Sequence, residues 1–321
     1  MRGFRPGSTA SVLPEKLSRK WTVGEPSQRL IEPPAQVVFI GLGNMGQPMA
    51  ARLIEAGFRV CGLDNTVSVR KRFEAETGGT ASDNIEAAVS SATAVVTMLP
   101  TGNVVRAVVE SIHSHLRPGT VIVDMSSSEP IATRKLGEQL IEAGYGFVDA
   151  PVSGGVKRAI DGTLAIMVGG DNQTIDRVEP ILRPMGRPIF RTGPLGSGHA
   201  MKALNNYVSG AGLIAAVEAL KVGRAFGLDP NVMVDVLNAS TGRNNATEVK
   251  LKQFIISETY GSGFFLGLMS KDIRTADRLA KELGVGVPLA DTTADLWDQA
   301  TEQLGAMADH TEIAKFRSPV E

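Results

Sequence analysis

The sequence predicts an α/β fold, a Rossmann-type doubly wound sheet followed by an all-α domain that a long helix joins to it. Three observations carry the prediction. From Val37 onward, short apolar runs rich in β-branched residues alternate with segments of helical period. The first of these runs passes directly into a glycine-rich turn and then a helix-period segment. Beyond about Ser197 the strand signal ceases, and the nearly all-apolar run 200–226 opens a series of helix-period stretches.

Taken in order, residues 1–35 carry Arg2, Arg5, Lys16, Arg19, Lys20 and Arg29 among Pro, Ser and Gly, without apolar periodicity. That composition predicts a disordered basic extension. Glu15, Glu25 and Glu32 weigh against a transit peptide, and no apolar core of a secretory signal is present. A start codon set too far upstream fits equally well. Strands are predicted at 37–40, 59–63, 94–99, 121–125, 147–148 and 164–168. The first four are continuous apolar stretches, as parallel strands covered on both faces require, and the segments between them have room for crossover helices. Residues 36–197 form the predicted dinucleotide-binding domain.

Residues 198–321 form the predicted all-helical substrate and dimerisation domain. The run 200–226 reads as a buried helix that stops at Gly227, a good residue for the position after a helix end. Asp229 and Pro230 then offer a cap and a first residue for a helix through Leu237. Further helices are expected at 248–257, 271–283 and 292–303.

Composition narrows the function classes. The chain has 321 residues, 43% hydrophobic and 21% charged, which suits an ordinary two-domain globular protein. A formal net charge of −1 provides no electrostatic case for nucleic acid as a partner. Lys202, Asn205, Asn206, Glu218, Lys221 and Arg224 interrupt the longest apolar run, so no membrane span is expected. The single Cys61 excludes an intramolecular disulfide, fits a reducing, cytoplasmic setting and reads as a small core residue. No metal is expected, because no metal-ligand spacing is present. His113, His115, His199 (on a predicted turn) and His310 read as surface or local structural residues.

Gly41, Leu42, Gly43, Asn44, Met45 and Gly46 form a G-x-G-x-x-G turn between a strand and a helix, a context that makes the motif specific. Gly41 permits the tight turn, Gly43 lets the backbone approach a pyrophosphate, and Gly46 lets the helix pack on the strand. The helix N-terminus supplies N–H groups and a positive dipole end. Asp64 ends the second strand, where an acidic residue binds the adenosine ribose hydroxyls. A carboxylate there repels a 2′-phosphate, and Asn65 and Thr66 bring no adjacent Arg. NAD is therefore expected over NADP, with Arg70 and Arg72 read as a solvated helix face.

Leu99 and Pro100 close the third apolar strand in the expected ligand crevice. Ser127 follows the fourth, either as a donor to a nicotinamide amide or as a cap for the helix opening at Pro130. Ser153, Gly154 and Gly155 make either an anion nest for a small carboxylate or an ordinary loop. Lys202 and Asn206 sit four apart and share one helix face. Alone they read as a snorkelling pair; in a nucleotide crevice, a desolvated Lys202 suits acid–base work and Asn206 suits holding a hydroxyl. Lys271 and Asp272 read either as a solvated first turn, with Asp272 stabilising the helix dipole, or as a second cation near substrate or cofactor. Arg243 and Asn244 either read the substrate's side group or cap helices.

Four motifs in order, FIGLGNMGQPMA, DAPVSGG, GSGHAMKALNN and LMSKD, resemble the β-hydroxyacid dehydrogenase family over roughly residues 36–316. The family includes 3-hydroxyisobutyrate dehydrogenase and tartronate semialdehyde (2-hydroxy-3-oxopropionate) reductase. The resemblance implies a Rossmann domain with a helical domain, usually assembled as dimers or tetramers. It implies Lys202 as the catalytic lysine, assisted by Asn206. Ser153, Gly154 and Gly155 match its substrate-carboxylate loop, and Lys271 matches a lysine near substrate and nicotinamide. Leu99, Pro100 and Ser127 match cofactor contacts. Many relatives carry Asn-Arg-Thr where this chain has Asp64, Asn65 and Thr66, a departure that supports NAD. The expected activity is NAD-dependent interconversion of a small anionic 3-hydroxy acid and its 3-oxo acid or semialdehyde. The rivals are an imine-reductase-like enzyme, which usually lacks the lysine, an NADPH-dependent semialdehyde reductase, and a non-catalytic NAD-binding module.

Overall fold

The computed structural model describes residues 29–317. The first part alternates β1 (Gln36–Ile40), α1 (Gly46–Glu55), β2 (Arg59–Leu63), α2 (Val67–Thr77), β3 (Thr80–Ser82), α3 (Ile85–Val89), β4 (Ala94–Thr97), α4 (Gly102–Ile112), β5 (Val121–Asp124), α5 (Pro130–Glu142) and β6 (Gly146–Asp149). These strands lie parallel in the order β3-β2-β1-β4-β5-β6. Then come β7 (Val152–Ser153), α6 (Gly155–Asp161), β8 (Ala165–Gly169), α7 (Asn172–Met185) and β9 (Ile189–Gly193). β8 runs antiparallel to β6 and β7, and β9 runs parallel to β8.

This is the predicted doubly wound sheet. β4 and β5 are buried throughout, because helices cover both faces. One core forms around Phe39, Met49, Leu53, Phe73 and Ile181, the other around Val38, Val95, Ile112, Ile122 and Phe147. Each such side chain contributes about 1.5–3 kcal/mol by leaving water. β3, β7 and β9 were not expected. The first two are only three and two residues long, and β9 is a half-exposed edge whose residues lack an apolar run.

The register positions the site. Ile40 is level with Thr97, Thr97 with Asp124, and Asp124 with Asp149. The carboxyl ends of β1, β4, β5 and β6 therefore finish on one line, at the point where the strand order reverses and a ligand crevice opens.

The expected basic extension lies outside the described residues up to 28. Its last part differs from the expectation, since 29–35 is ordered against α7 and the start of β2. Ile31 is buried, and its N–H donates to Arg177 O at 2.8 Å.

Helix α8 (Ser197–Phe226) links the sheet to α9 (Pro230–Ala239), a π-helix (Ala246–Ile256), α10 (Leu266–Glu282) and α11 (Pro288–Leu304). Around Trp297 these helices bury Leu213, Val217, Leu220, Leu251, Ile273 and Ala294. Three expectations change. α8 is not buried all round: Ala203, Asn206, Gly210, Leu213, Val217 and Leu220 face inward, while Val208 and Phe226 are exposed. The expected helix at 248–257 is a π-helix, a hydrogen-bond pattern that apolar spacing does not reveal. α10 begins five residues earlier than expected, because Gly267, normally a poor helix residue, is used for close approach. A Cβ there would stand 2.8 Å from that of Ala306. Among the described residues, no helix is long and apolar enough to cross a membrane.

Candidate active site

The glycine turn is built as its spacing requires. Gly41 has φ +98°, and a Cβ on it would stand 2.3 Å from Met98 O. A Cβ on Gly46 would overlap Gly41 O, so α1 packs directly on the turn. At Gly43 a Cβ would meet nothing within 4 Å. A cleft of about 460 Å³ opens beside Gly43 and Asn44, with Gln47, Arg72, Val156 and Ile160 on its walls. No side chain caps α1 at Met45, which leaves the helix N-terminus to a ligand. The residues thus fit a dinucleotide pyrophosphate.

Asp64, just past β2, fixes this turn. Its Oδ2 accepts the Leu42 N–H at 3.0 Å and its Oδ1 the Thr66 N–H at 2.9 Å, with Asn65 between. The carboxylate still has lone pairs for ribose hydroxyls. Arg70 is not on a solvated face. Its side chain is 16% exposed, donates to Asp64 O at 2.6 Å and pairs with Asp83 at 3.6 Å. Arg72 donates to Gln47 Oε1 at 2.8 Å.

Two buried carboxylates organise the strand ends. Asp124 accepts from Thr97 Oγ1 (2.9 Å), Ser126 N (3.0 Å) and Ser128 Oγ (3.0 Å). Ser126 Oγ in turn accepts the Leu99 N–H at 2.9 Å, which sets the Leu99 and Pro100 turn. Asp149 accepts the N–H groups of Gly196 and His199 at 2.8 Å each. It thereby caps the N-terminus of α8 from a distant strand, where a negative charge also meets the positive end of the helix dipole. His199 belongs to the first turn of α8 and is buried, not on an open turn. Its Nε2 lies 3.1 Å from Ser126 O and its Nδ1 2.9 Å from Thr133 Oγ1. Because a carbonyl only accepts, Nε2 carries a proton and donates to Ser126 O. The imidazole pins α8 to the loop after β5.

Lys202 comes one turn later, with part of its surface open and most of it enclosed by protein. Its Nζ lies 3.5 Å from Asn206 Oδ1. Asn206 is buried, and its Nδ2 donates to Asp272 Oδ2 at 2.6 Å. Asp272 Oδ1 accepts the Ser127 hydroxyl at 2.7 Å. Ser127 therefore does not cap α5, whose cap position is Glu129 with no side-chain bond. Nor does Asp272 serve the α10 dipole from a first turn, since α10 starts at Leu266. It ties the loop after β5 to α8. Lys271 Nζ donates to Ser127 O at 2.9 Å and to Pro100 O at 3.4 Å, and pairs with Asp272 at 3.3 Å, so it is not a solvated surface cation. Burial pushes the Lys202 ammonium below its usual range; Asp272 opposes the shift and Lys271 adds to it.

The structure thus brings together Lys202 and Asn206 of α8, Ser127 after β5, Lys271 of α10 and Pro100 after β4, four segments in all. Ser153 ends β7, and Gly154 (φ +140°) and Gly155 (φ +69°) lead into α6. No hydrogen bond joins these three to the Lys202 group among the described residues. Asn244 accepts the N–H groups of Ala246 and Thr247 at the start of the π-helix, while Arg243 pairs with Glu248 at 3.5 Å. The helix-capping reading of this segment therefore holds for Asn244. The sequence reading assigned no site role to Asp124, Asp149, His199 or Asp272. For Asp124 and Asp149 one signal was available: both end apolar strands, where a carboxylate needs donors.

Comparison with known proteins places these elements. Residues 36–193 match the family described as the NAD binding domain of 6-phosphogluconate dehydrogenase. Residues 196–317 match that described as NAD-binding of NADP-dependent 3-hydroxyisobutyrate dehydrogenase. The chain is 35% identical to the 2-(hydroxymethyl)glutarate dehydrogenase of Eubacterium barkeri, over 84% of this chain and 90% of that protein. It is 33% identical to the NAD-dependent L-serine dehydrogenase of Pseudomonas aeruginosa, over 89% and 99%. Among solved structures, 3-hydroxyisobutyrate dehydrogenase of Mycobacterium tuberculosis with L-serine superposes with a TM-score of 0.82 at 33% identity, covering 88% of this chain and 98% of that one.

Proposed function

Because the chain belongs to the β-hydroxyacid dehydrogenase family, an NAD(P)-dependent oxidoreductase family, we propose that Lys202 is its general acid and base in the interconversion of a small anionic 3-hydroxy acid and its 3-oxo acid or semialdehyde. The observation that carries this reading is the chain of contacts from Lys202 through Asn206 and Asp272 to Ser127. It joins an ammonium of lowered proton affinity to the loop at the nicotinamide end of the crevice.

A dinucleotide held by the turn Gly41–Gly46 and by Asp64 would supply the hydride acceptor for oxidation and the hydride donor for reduction. In oxidation, neutral Lys202 Nζ takes the hydroxyl proton as the carbon–oxygen double bond forms; in reduction the ammonium gives it back. Asn206 positions the substrate hydroxyl, its amide held by Asp272. Ser153, Gly154 and Gly155 hold the substrate carboxylate through the hydroxyl and consecutive N–H groups. Lys271 orients Ser127 and Pro100 and adds positive charge at the anionic substrate. Asp64 takes the ribose hydroxyls, and its carboxylate favours NAD over NADP. The names of the relatives support the substrate class, since hydroxyisobutyrate and serine each present a carboxylate and a β-hydroxyl. We further place the protein in the cytoplasm as a homodimer or homotetramer, with its folded part divided near Ser197.

Initial rates on 3-hydroxyisobutyrate, glycerate, serine, threonate and sulfonate analogues, each with NAD and with NADP, test the reading. At least one acid is expected to turn over faster with NAD, and Lys202→Ala is expected to lose more than 99% of that kcat while still binding NAD. A Lys202→Ala enzyme retaining a tenth of kcat would remove the assigned role.

A further inference from the structure

We propose that Lys250, with Ser209 and His310 beside it, forms a subsite for a second anionic group on the substrate, two helical turns from Lys202. The inference rests on the 3-hydroxy acid reading and narrows it to acids that carry a further negative charge.

Lys202, Asn206 and Ser209 are spaced four and three apart on α8, so they share one face. Ser209 lies about 10 Å along the helix axis from Lys202, at about 1.5 Å per residue. Lys250 reaches this face from the π-helix, its Nζ 3.4 Å from Ser209 Oγ. Among the described residues no carboxylate forms an ion pair with it. Asp309 attracts it only through space. The Asp309 oxygens are engaged by Ser262 Oγ (2.8 and 2.9 Å), Gly263 N (2.8 Å) and Thr311 N (2.9 Å), with a further bond from Thr311 Oγ1.

His310, 3% exposed, completes the group. Its Nδ1 meets Ser262 Oγ at 2.9 Å and Phe264 O at 3.2 Å, so the proton sits on Nδ1. Its Nε2 is buried without a partner. Burial and then the Lys250 charge push the imidazole down to about 4. Lys250 itself is lowered by burial to about 8 and so stays mostly charged at neutral pH.

An enclosed ammonium with no carboxylate in ion-pair reach among the described residues is costly, and a methionine would fill the same volume without that cost. A carboxylate, sulfonate or phosphonate entering along the α8 face would pair with Lys250. It would also offset the Lys250 charge, the smaller of the two influences that lower the His310 imidazole.

Ligand-observed NMR titration of the full chain with glutarate, with 4-sulfobutanoate, and with pentanoate, which has a methyl in place of the second anion, tests the subsite. Glutarate or 4-sulfobutanoate should bind at least tenfold tighter than pentanoate, and the tighter of the two identifies the head group. Lys250→Met and Lys250→Gln should bring that ratio within threefold of one, while Lys250→Arg should keep it. Equal binding by the wild type, or a preference that survives in the neutral variants, overturns the subsite. A wild type that prefers the dianion yet turns over no 3-hydroxy acid would count against the parent reading and for the subsite.

Discussion

Lys202 stands under opposed influences: burial and the Lys271 charge depress its proton affinity, and Asp272 raises it, with burial the larger effect. If Lys202 is the general base proposed above, the neutral amine is the working form in oxidation, and kcat is expected to rise with pH through the Lys202 pKa. Asp272→Asn removes the raising charge and should shift this limb to lower pH. It should also cost about tenfold in kcat, because an amide has one acceptor oxygen where the carboxylate has two, and Ser127 and Asn206 both need one. A pH–rate limb that stays in place or moves upward would refute the electrostatic role given to Asp272. Lys202 and Asn206 were legible as a pair because four residues make one turn. Asp272 was not, since 66 residues separate it from Asn206, and its position after Lys271 equally fitted a helix-end charge.

At the scale of elements, α8 depends on a cap that comes from another strand. Asp149 accepts two buried N–H groups at the helix start, and Lys202 is three residues beyond the second of them. Asp149→Ala leaves both donors unpaired and should cost about 2–4 kcal/mol of unfolding free energy in urea titration. A loss under about 1 kcal/mol would mean that the carboxylate is not what holds the helix start. The end of α8 at Gly227 was readable, because a glycine in the left-handed region (φ +99°) ends a helix locally. Its start was not, because its cap is remote in sequence. The π-helix that presents Lys250 was legible only as a helix.

For the whole molecule, the apolar surface that α8 leaves uncovered bears on assembly. Leu204 and Val208, then Val222 and Phe226, repeat at four-residue spacing with 42%, 67%, 71% and 84% exposure, and Val232 and Val236 do the same on α9. Stripes of this kind on a folded chain are costly in water and mark contact surfaces. Phe226→Asp combined with Val222→Asp should lower the mass measured by light scattering, from a dimer or tetramer toward a monomer. An unchanged mass would place self-association elsewhere, and a wild-type monomer would remove it.

Features that depend on short-range physics are legible in the chain alone. Strand runs, helix periods, the glycine turn and the Lys202–Asn206 pair are all set by backbone geometry within a few residues, so the doubly wound sheet and the helical part were legible, as were the residues of the nucleotide turn. Which groups answer one another across the fold follows from long-range packing. Parallel register brings Thr97, Asp124 and Asp149 level, and α8 and α10 cross so that Asn206, Asp272 and Ser127 meet. A buried polar group must find a partner, and the fold, not the neighbouring sequence, supplies it. The same reasoning makes Lys250 notable, since among the described residues no carboxylate lies within ion-pair reach of it.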